Sequence, residues 1–219
     1  MHHWFVYRDF QQASQEAADF IADKIQSSIA ENGVCHVVLP GGQSPSQCLA
    51  YLANKKLAWH KVHWYPGDER CYPSAHAERN DVMLQNNLWS RIGKTLIHQI
   101  PAELGAEKAA SLFSELISNV DHFDIAFLGI GEDGHTASLF PDNAALHDAR
   151  TVVPVHHAPK APPDRVSLGI NTLRQAKCRL VLAAGDGKKD IIARIKNAES
   201  LPVNSLGDIN WFVDEAAFN

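Results

Sequence analysis

The 219-residue chain lacks the features that would assign it to several special classes of protein. Its four cysteines, Cys35, Cys48, Cys71 and Cys178, contain no C-x-x-C pair, which argues against a disulfide framework or a cysteine zinc site. The formal net charge of −5 gives no basic excess for nucleic acid or an anionic membrane. No stretch approaches about eighteen consecutive apolar residues, and the start has no apolar core followed by a cleavage site. We expect a soluble cytoplasmic protein with reduced thiols and no nucleic-acid or membrane partner.

Metal-ligand spacing is also missing. The twelve histidines show no paired spacing beyond the neighbours His156 and His157. We therefore expect no metal. The sequence leaves the oligomeric state open between a monomer and a weak homo-oligomer.

The chain does contain a regular alternation of apolar, β-prone runs with helical repeats. A hydrophobic content of 45% is enough for one domain, residues 1–219, with a core on both sides of a sheet. The alternation predicts an α/β fold with a mainly parallel, Rossmann-like sheet and helices on both faces. Expected strands are 34–39, 62–65, 95–100, 123–130, 152–155, 165–170, 179–184 and 211–213; expected helices are 10–30, 46–54, 78–89, 106–118 and 188–197.

The segment 128–141, LGIGEDGHTASLFP, is the most informative part of the chain. It places a glycine-rich turn ending in His135 after a predicted buried strand, at the sheet edge where ligands of open α/β sheets bind. We expect a new helix from about Thr136, whose first N–H groups would be free to hold an anion. Asp133 is close enough in sequence to orient the His135 imidazole. His135 is therefore a candidate catalytic base.

The same segment also fits a dinucleotide-binding fingerprint, because Gly129, Gly131 and Gly134 are spaced G-x-G-x-x-G. That fingerprint needs an acid about twenty residues later, at the end of the next strand. Here that strand runs into His156, and Asp148 comes too early. A nicotinamide-binding function is therefore disfavoured.

Four further segments could converge with His135 at the same edge. Gly41, Gly42 and Ser44 can bring backbone N–H groups to a phosphate, although no Gly-Lys-Ser/Thr follows to make a Walker A motif. The others carry charge: Asp68, Glu69 and Arg70 after one strand, Lys188 at a predicted helix start, and Arg165 after a proline-rich loop.

These groups suit a hydrolysis. It needs a base with a pKa near neutral, a positioned water and a group that stabilises an oxyanion, and His135 with nearby cations supplies these without metal or cofactor. Ser138 lacks the G-x-S-x-G elbow, which argues against a covalent acyl-enzyme.

At this point the motifs resemble those of a known family, the 6-phosphogluconolactonases, in order and spacing over nearly the whole chain. The segments are LPGGQSP at 39–45, GDER at 67–70 with Asn80 downstream, GIGEDGHTASLFP at 129–141, PKAPPDR at 159–165 and GDGK at 185–188.

The resemblance implies a glucosamine-6-phosphate deaminase-like fold and a cofactor-free enzyme that opens 6-phospho-D-glucono-1,5-lactone to 6-phosphogluconate in the pentose phosphate pathway. It implies His135 as general base and Asp133 as its partner. The substrate-binding residues it implies are Gly41, Gly42, Ser44, Asp68, Arg70, Arg165 and Lys188. The chain departs from the family pattern at Pro40, where Ser or Thr is frequent, and at Gln43, where a small hydroxyl residue is usual.

Two alternatives remain. A deaminase or isomerase of amino sugar phosphates also uses an Asp-Gly-His turn, but typically continues into Asn-Glu-Pro, whereas here no carboxylate follows until Asp142. A catalytically silent sugar-phosphate sensor would usually carry a DNA-binding helix-turn-helix, and none is visible in the sequence.

Overall fold

A computed structural model describes residues 2–42 and 44–219. Its main sheet has seven strands, all parallel, in the order β1-β10-β9-β6-β2-β3-β5. These strands are β1 His3–Tyr7, β2 Cys35–Leu39, β3 Val62–Pro66, β5 Leu96–Ile97, β6 Ile125–Leu128, β9 Cys178–Ala183 and β10 Asn210–Asp214. The predicted α/β class with a mainly parallel sheet is confirmed.

Helices cover both faces of this sheet and enclose two apolar cores. The helices are α1 Phe10–Asn32, α2 Ser44–Ala53, α3 Asn80–Leu84, α4 Ala106–Leu116, α5 Ile170–Arg174, α6 Lys189–Lys196 and α7 Glu215–Phe218. Helices α1, α2 and α3 bury side chains in one core, and α4, α5, α6 and α7 in the other. The strands between them are nearly continuous apolar runs because both of their faces are buried.

Helix α1 shows how local sequence sets an element. Asp9 caps its start, where the carboxylate accepts a hydrogen bond from the Gln12 N–H at 2.8 Å. Gly33 ends it in a left-handed conformation with φ 83°, which glycine adopts without steric cost. The buried stripe includes Ala13, Ala17 and Ile21, at the helical spacing seen in the sequence.

A second, antiparallel sheet departs from the predicted arrangement. It has the order β4-β8-β7 and consists of β4 Asp68–Arg70, β8 Arg165–Leu168 and β7 Val152–Val155. The prediction treated 68–70 as a loop and the other two runs as members of the main sheet. Short apolar runs do not reveal which sheet they join, since pairing depends on distant partners.

Other boundaries also differ. The predicted helix 78–89 is the short α3 followed by a π-helical turn, Gln85–Trp89, and the predicted strand 95–100 pairs only at Leu96–Ile97. Strand β1 is not among the strands predicted from the sequence.

All four cysteines are free. Within the described residues, none of the helices is both long and apolar enough to cross a membrane.

Candidate active site

A cleft of about 320 Å³ opens where the carboxyl ends of β9, β6, β2 and β3 lie side by side in the main sheet. The chain passes from β2 outward to β3 and β5, and later returns to add β6, β9 and β10 on the other side. Such a reversal of direction is where open α/β sheets bind ligands. Every residue implied by the motifs except Asp133 lines the cleft: Gly41, Gly42, Ser44, Asp68, Arg70, His135, Arg165 and Lys188.

His135 and Asp133 form a hydrogen-bonded pair at the wall of this cleft. The His135 Nδ1 lies 2.5 Å from Asp133 Oδ1, and the same carboxylate oxygen accepts the His135 backbone N–H at 3.1 Å. The His135 side chain is 16% exposed and its ring packs on Phe140, with centroids 4.5 Å apart. Because Asp133 holds Nδ1, the Nε2 atom is left to act on a ligand.

Glycines make the turn that presents this pair. A Cβ on Gly131 would lie 2.0 Å from His135 Nδ1 and 2.7 Å from Asp133 Oδ1, so a side chain there would displace both groups. Gly134 has φ 85°, and a Cβ there would approach Leu201 to 2.8 Å. The G-x-G-x-x-G spacing therefore serves the histidine pair rather than the close approach of a dinucleotide.

Burial dominates the electrostatics of His135. It lowers the pKa of the imidazole below its usual range, while the hydrogen bond and the charge of Asp133 act in the opposite direction without cancelling it. The Asp133 carboxylate by itself would raise the pKa of His135, but the effect of burial is larger. At neutral pH the imidazole is therefore mainly in the neutral form that a base requires.

The helix predicted to begin at about Thr136 is absent, and this prediction is wrong. Residues 136–140 form turns with a single bridge between Thr136 and Leu139. The hydroxyl of Thr136 donates to the Gly129 carbonyl at 3.0 Å and that of Ser138 to Asp68 Oδ2 at 2.6 Å. Hydroxyl side chains engaged in this way stabilise turns at the expense of a helix. An anion at this edge of the sheet must therefore bind to a different loop.

The loop after β2 offers such a place. Gly41, Gly42 and Ser44 line the cleft, and α2 begins at Ser44, so that the positive end of a ten-residue helix faces the cavity. Gly42 has φ 89°, a conformation that favours glycine. Pro40 also lines the cleft, whereas Gln43 lies outside the described residues.

Among the residues that the structure describes, four cationic side chains line the cleft, and two of them, Arg70 and Lys188, make different hydrogen bonds. Arg70 donates from one terminal nitrogen to the Glu78 carbonyl at 2.6 Å, while its Nε is buried and meets no acceptor among the described residues. Lys188 donates to the Ile130 carbonyl at 2.8 Å, and burial lowers the pKa of its ammonium. Asp214 fixes the loop before Lys188 by accepting the Gly185 N–H at 2.9 Å.

Lys160 lies in the proline-rich loop beside the cleft, and Arg165 is the first residue of β8, directly after that loop. Arg165 is 4% exposed and donates to the carbonyls of Lys160, Ala161 and Pro162 at 2.9, 3.0 and 3.1 Å, so most of its guanidinium holds its own loop. Lys160 lines the cavity, although it was not singled out in the sequence. The available signal was its place within the PKAPPDR segment.

The acids after β3 separate into two roles. Asp68 lines the cleft and is 5% exposed, whereas Glu69 is fully buried and accepts three backbone N–H groups, those of Arg70, Asn80 and Asp81, at 2.7–2.8 Å. Burial raises the pKa of Glu69 to about 7. Glu69 thus caps α3 and does not reach the cavity. Among the described residues no group of three or more His, Cys, Asp or Glu side chains is arranged to hold a metal ion.

Comparison with known proteins gives a consistent match over the chain. Residues 8–210 match the family model described as glucosamine-6-phosphate isomerases/6-phosphogluconolactonase. The chain is 31% identical to a 6-phosphogluconolactonase of Streptomyces coelicolor, over 97% of this chain and 92% of that protein.

Solved structures extend the match to three dimensions. The crystal structure of 6-phosphogluconolactonase from Thermotoga maritima superposes with a TM-score of 0.90 at 27% identity, covering 98% of this chain and 100% of that one. A monomeric glucosamine-6-phosphate deaminase superposes with a TM-score of 0.86 at 19% identity, over 98% of both chains. At that identity the deaminase shares the fold alone.

Proposed function

The chain belongs to the family of glucosamine-6-phosphate isomerases and 6-phosphogluconolactonases, and from this we propose that it is a lactonase that hydrolyses 6-phospho-D-glucono-1,5-lactone to 6-phosphogluconate in the oxidative pentose phosphate pathway. The observation that carries the proposal is one cleft lined both by His135, which Asp133 holds by a hydrogen bond, and by a glycine loop at a helix N-terminus. A phosphorylated lactone needs a base at one end of its site and an anion-binding loop at the other.

The phosphate end accounts for the positive side of the cleft. A phosphate group carries about −1.5 to −2 charge at pH 7 and accepts strong hydrogen bonds. Gly41, Gly42 and Ser44 would present the start of α2 to it, and the phosphate would accept a hydrogen bond from the Arg70 Nε, which has no acceptor in the described part of the chain. Of the remaining cations, Lys188 lies beside the strand end that carries the base, so we assign it to the lactone carbonyl.

The reaction then needs only groups of this chain and one water molecule. His135 Nε2 takes a proton from water as the oxygen attacks the lactone carbonyl carbon, and Asp133 stabilises the imidazolium that forms. The carbonyl oxygen becomes an oxyanion facing Lys188. When the intermediate collapses, the bond to the ring oxygen breaks and the imidazolium returns its proton to that oxygen. The product is the open hydroxy acid, and neither a metal nor a covalent intermediate takes part.

The deaminase alternative meets an obstacle in the same loop. After His135 the chain makes turns through Ser138 to Phe140, and the first carboxylate, Asp142, is exposed and does not line the cleft. A proton relay to an amine leaving group therefore has no acid in the segment that directly follows His135. The test is a coupled assay of lactone opening, corrected for spontaneous hydrolysis, run beside ammonia release from glucosamine 6-phosphate; ammonia release without lactone opening would reverse the assignment.

The pH dependence of kcat/KM tests the histidine pair. Since the neutral imidazole is the active form and its pKa is lowered by burial, activity should persist below pH 6.5 before its acid limb appears. Asp133→Asn removes the interactions that favour imidazolium, so its limb should move to still lower pH while the maximal rate falls. The measurement is initial rate from pH 4.5 to 8 with the background subtracted at each point. An acid limb at the same pH in both proteins would exclude Asp133 as the partner.

Chelator sensitivity tests metal independence. Prolonged incubation with EDTA followed by gel filtration should leave kcat unchanged, because the proposed steps use only protein groups. Loss of activity that zinc or another divalent ion restores would contradict the proposal. The cytoplasmic location and the monomeric or weakly associated state expected from the sequence stay predictions.

A further inference from the structure

Asn80, the first residue of α3, joins two loops of the cleft without lining it. Its Nδ2 donates to the Asp68 carbonyl at 2.8 Å and to Asp68 Oδ1 at 3.1 Å. Asp68 Oδ2 in turn accepts the Ser138 hydroxyl at 2.6 Å, three residues after His135. A chain of hydrogen bonds therefore runs from Asn80 through Asp68 to the loop of the proposed base.

The other end of the Asn80 amide faces the glycine loop. Asn80 is 2% exposed, and its Oδ1 is buried without a hydrogen-bond donor among the described residues. A Cβ on Gly41 would lie 1.9 Å from this oxygen and 2.3–2.5 Å from the rest of the amide group. The amide thus packs directly on the Gly41 backbone. A buried acceptor without a partner costs free energy, which calls for a functional explanation.

Anchoring of α3 does not explain the side chain. The backbone N–H groups of Asn80 and Asp81 are held by the two carboxylate oxygens of Glu69 at 2.7 and 2.8 Å. The start of the helix is therefore fixed by Glu69, and the hydrogen bonds of the Asn80 amide to Asp68 are not needed for that purpose.

We propose that Asn80 is a positioning residue that sets the glycine loop at 41–42 relative to Asp68, and through Ser138 relative to the His135 loop. When the glycine loop binds the phosphate, this coupling would place the lactone carbonyl carbon correctly beside His135. The inference rests on the proposed function. It predicts that damage at Asn80 impairs the use of the phosphate group more than it impairs lactone hydrolysis as such.

A double-mutant cycle between Gly41 and Asn80 tests this. Gly41 has no positive φ, so alanine fits its backbone, but the added methyl group would displace the Asn80 amide. Gly41→Ala should lower kcat/KM for the phosphorylated lactone roughly tenfold or more, and Asn80→Ala about three- to tenfold. The double variant should be no worse than Asn80→Ala alone, because removal of the amide makes room for the methyl group. For each of these three variants, the loss of kcat/KM should be smaller with plain glucono-1,5-lactone than with the phosphorylated lactone.

Two further variants test this interpretation, one at Asn80 and one as a control outside the cleft. Asn80→Asp keeps the shape but turns an oxygen toward the Asp68 carbonyl and carboxylate, so it should lose phosphate preference as Asn80→Ala does. Asn87→Ala removes an amide that donates to the Met83 carbonyl at 2.8 Å outside the cleft lining, and it should keep wild-type preference. Circular dichroism and thermal melts establish that each variant is folded.

Calorimetric titration with 6-phosphogluconate and gluconate provides a readout without turnover. The same non-additivity is expected in 6-phosphogluconate affinity. If the wild type binds 6-phosphogluconate but opens no lactone, the proposed function fails and the coupling is read from the titrations alone. If the wild type is active and the losses of kcat/KM caused by Gly41→Ala and Asn80→Ala are additive in the double variant, the positioning role of Asn80 is overturned. It is also overturned if these variants lose the same factor of kcat/KM on the phosphorylated and the plain lactone.

Discussion

His135→Ala is expected to lower kcat by about a hundredfold or more while the protein stays folded, which is the usual scale for loss of a general base. The imidazole is the group held by Asp133 at 2.5 Å with its second nitrogen left for water. KM should change little, because the ring is proposed to move a proton rather than to hold the phosphate. Single-turnover and steady-state rates with the phosphorylated lactone, corrected for spontaneous opening, measure the effect.

His147→Ala is the matched control, because His147 is an exposed residue in a short helical turn and does not line the cleft. It should retain the wild-type rate. A folded His135→Ala enzyme with near wild-type kcat would remove His135 from the mechanism. Asp68 would then be the next carboxylate to test, since Glu69 is buried behind α3 and accepts only backbone N–H groups.

The sequence predicts the parts of this site that depend on local pattern. An apolar run followed by glycines and a polar residue predicts the end of a buried parallel strand, and such ends lie at a common edge. That reasoning brings His135, Gly41 and Lys188 to one cleft without knowledge of strand order. Asp133 is found by the same route, since its carboxylate lies two residues from the imidazole that it orients.

What the sequence does not predict depends on contacts between distant segments. Arg165 begins a strand that pairs with Arg70 in the second sheet, and antiparallel pairing across nearly a hundred residues leaves no periodic signal. The absence of a helix after His135 follows from hydroxyl bonds to Gly129 and Asp68, partners that no local pattern identifies. The lowered pKa of His135 likewise follows from burial, which only the folded chain reveals.

Replacement of the two cations is expected to produce the second large effect. Arg70→Ala and Lys188→Ala should each raise the free-energy barrier that kcat/KM measures for the phosphorylated lactone by about 1.5–3 kcal/mol, the scale of a charge-assisted hydrogen bond. This corresponds to a loss of kcat/KM of roughly ten- to 150-fold. The two variants should differ in which kinetic constant they change. The buried Nε of Arg70 has no acceptor among the described residues, and Arg70 lines the cleft that is proposed to hold the phosphate. Its loss should therefore raise KM and narrow the preference for the phosphorylated lactone over plain gluconolactone. Lys188 is assigned to the developing oxyanion, so its loss should lower kcat on both substrates.

Neighbouring cations outside the cleft provide the controls for this comparison. Arg91 and Lys189 are exposed and do not line the cavity, so Arg91→Ala and Lys189→Ala change the net charge equally without touching the site. If these controls lose as much activity as Arg70→Ala and Lys188→Ala, the effect is the stronger long-range repulsion of an anionic substrate by a chain whose net charge of −5 has become more negative, and raised salt should abolish it. If Arg70→Ala instead reduces both substrates equally, Arg70 does not bind the phosphate. The glycine loop and Lys160 would then have to supply the whole preference, because Arg165 is already committed to the carbonyls of its own loop.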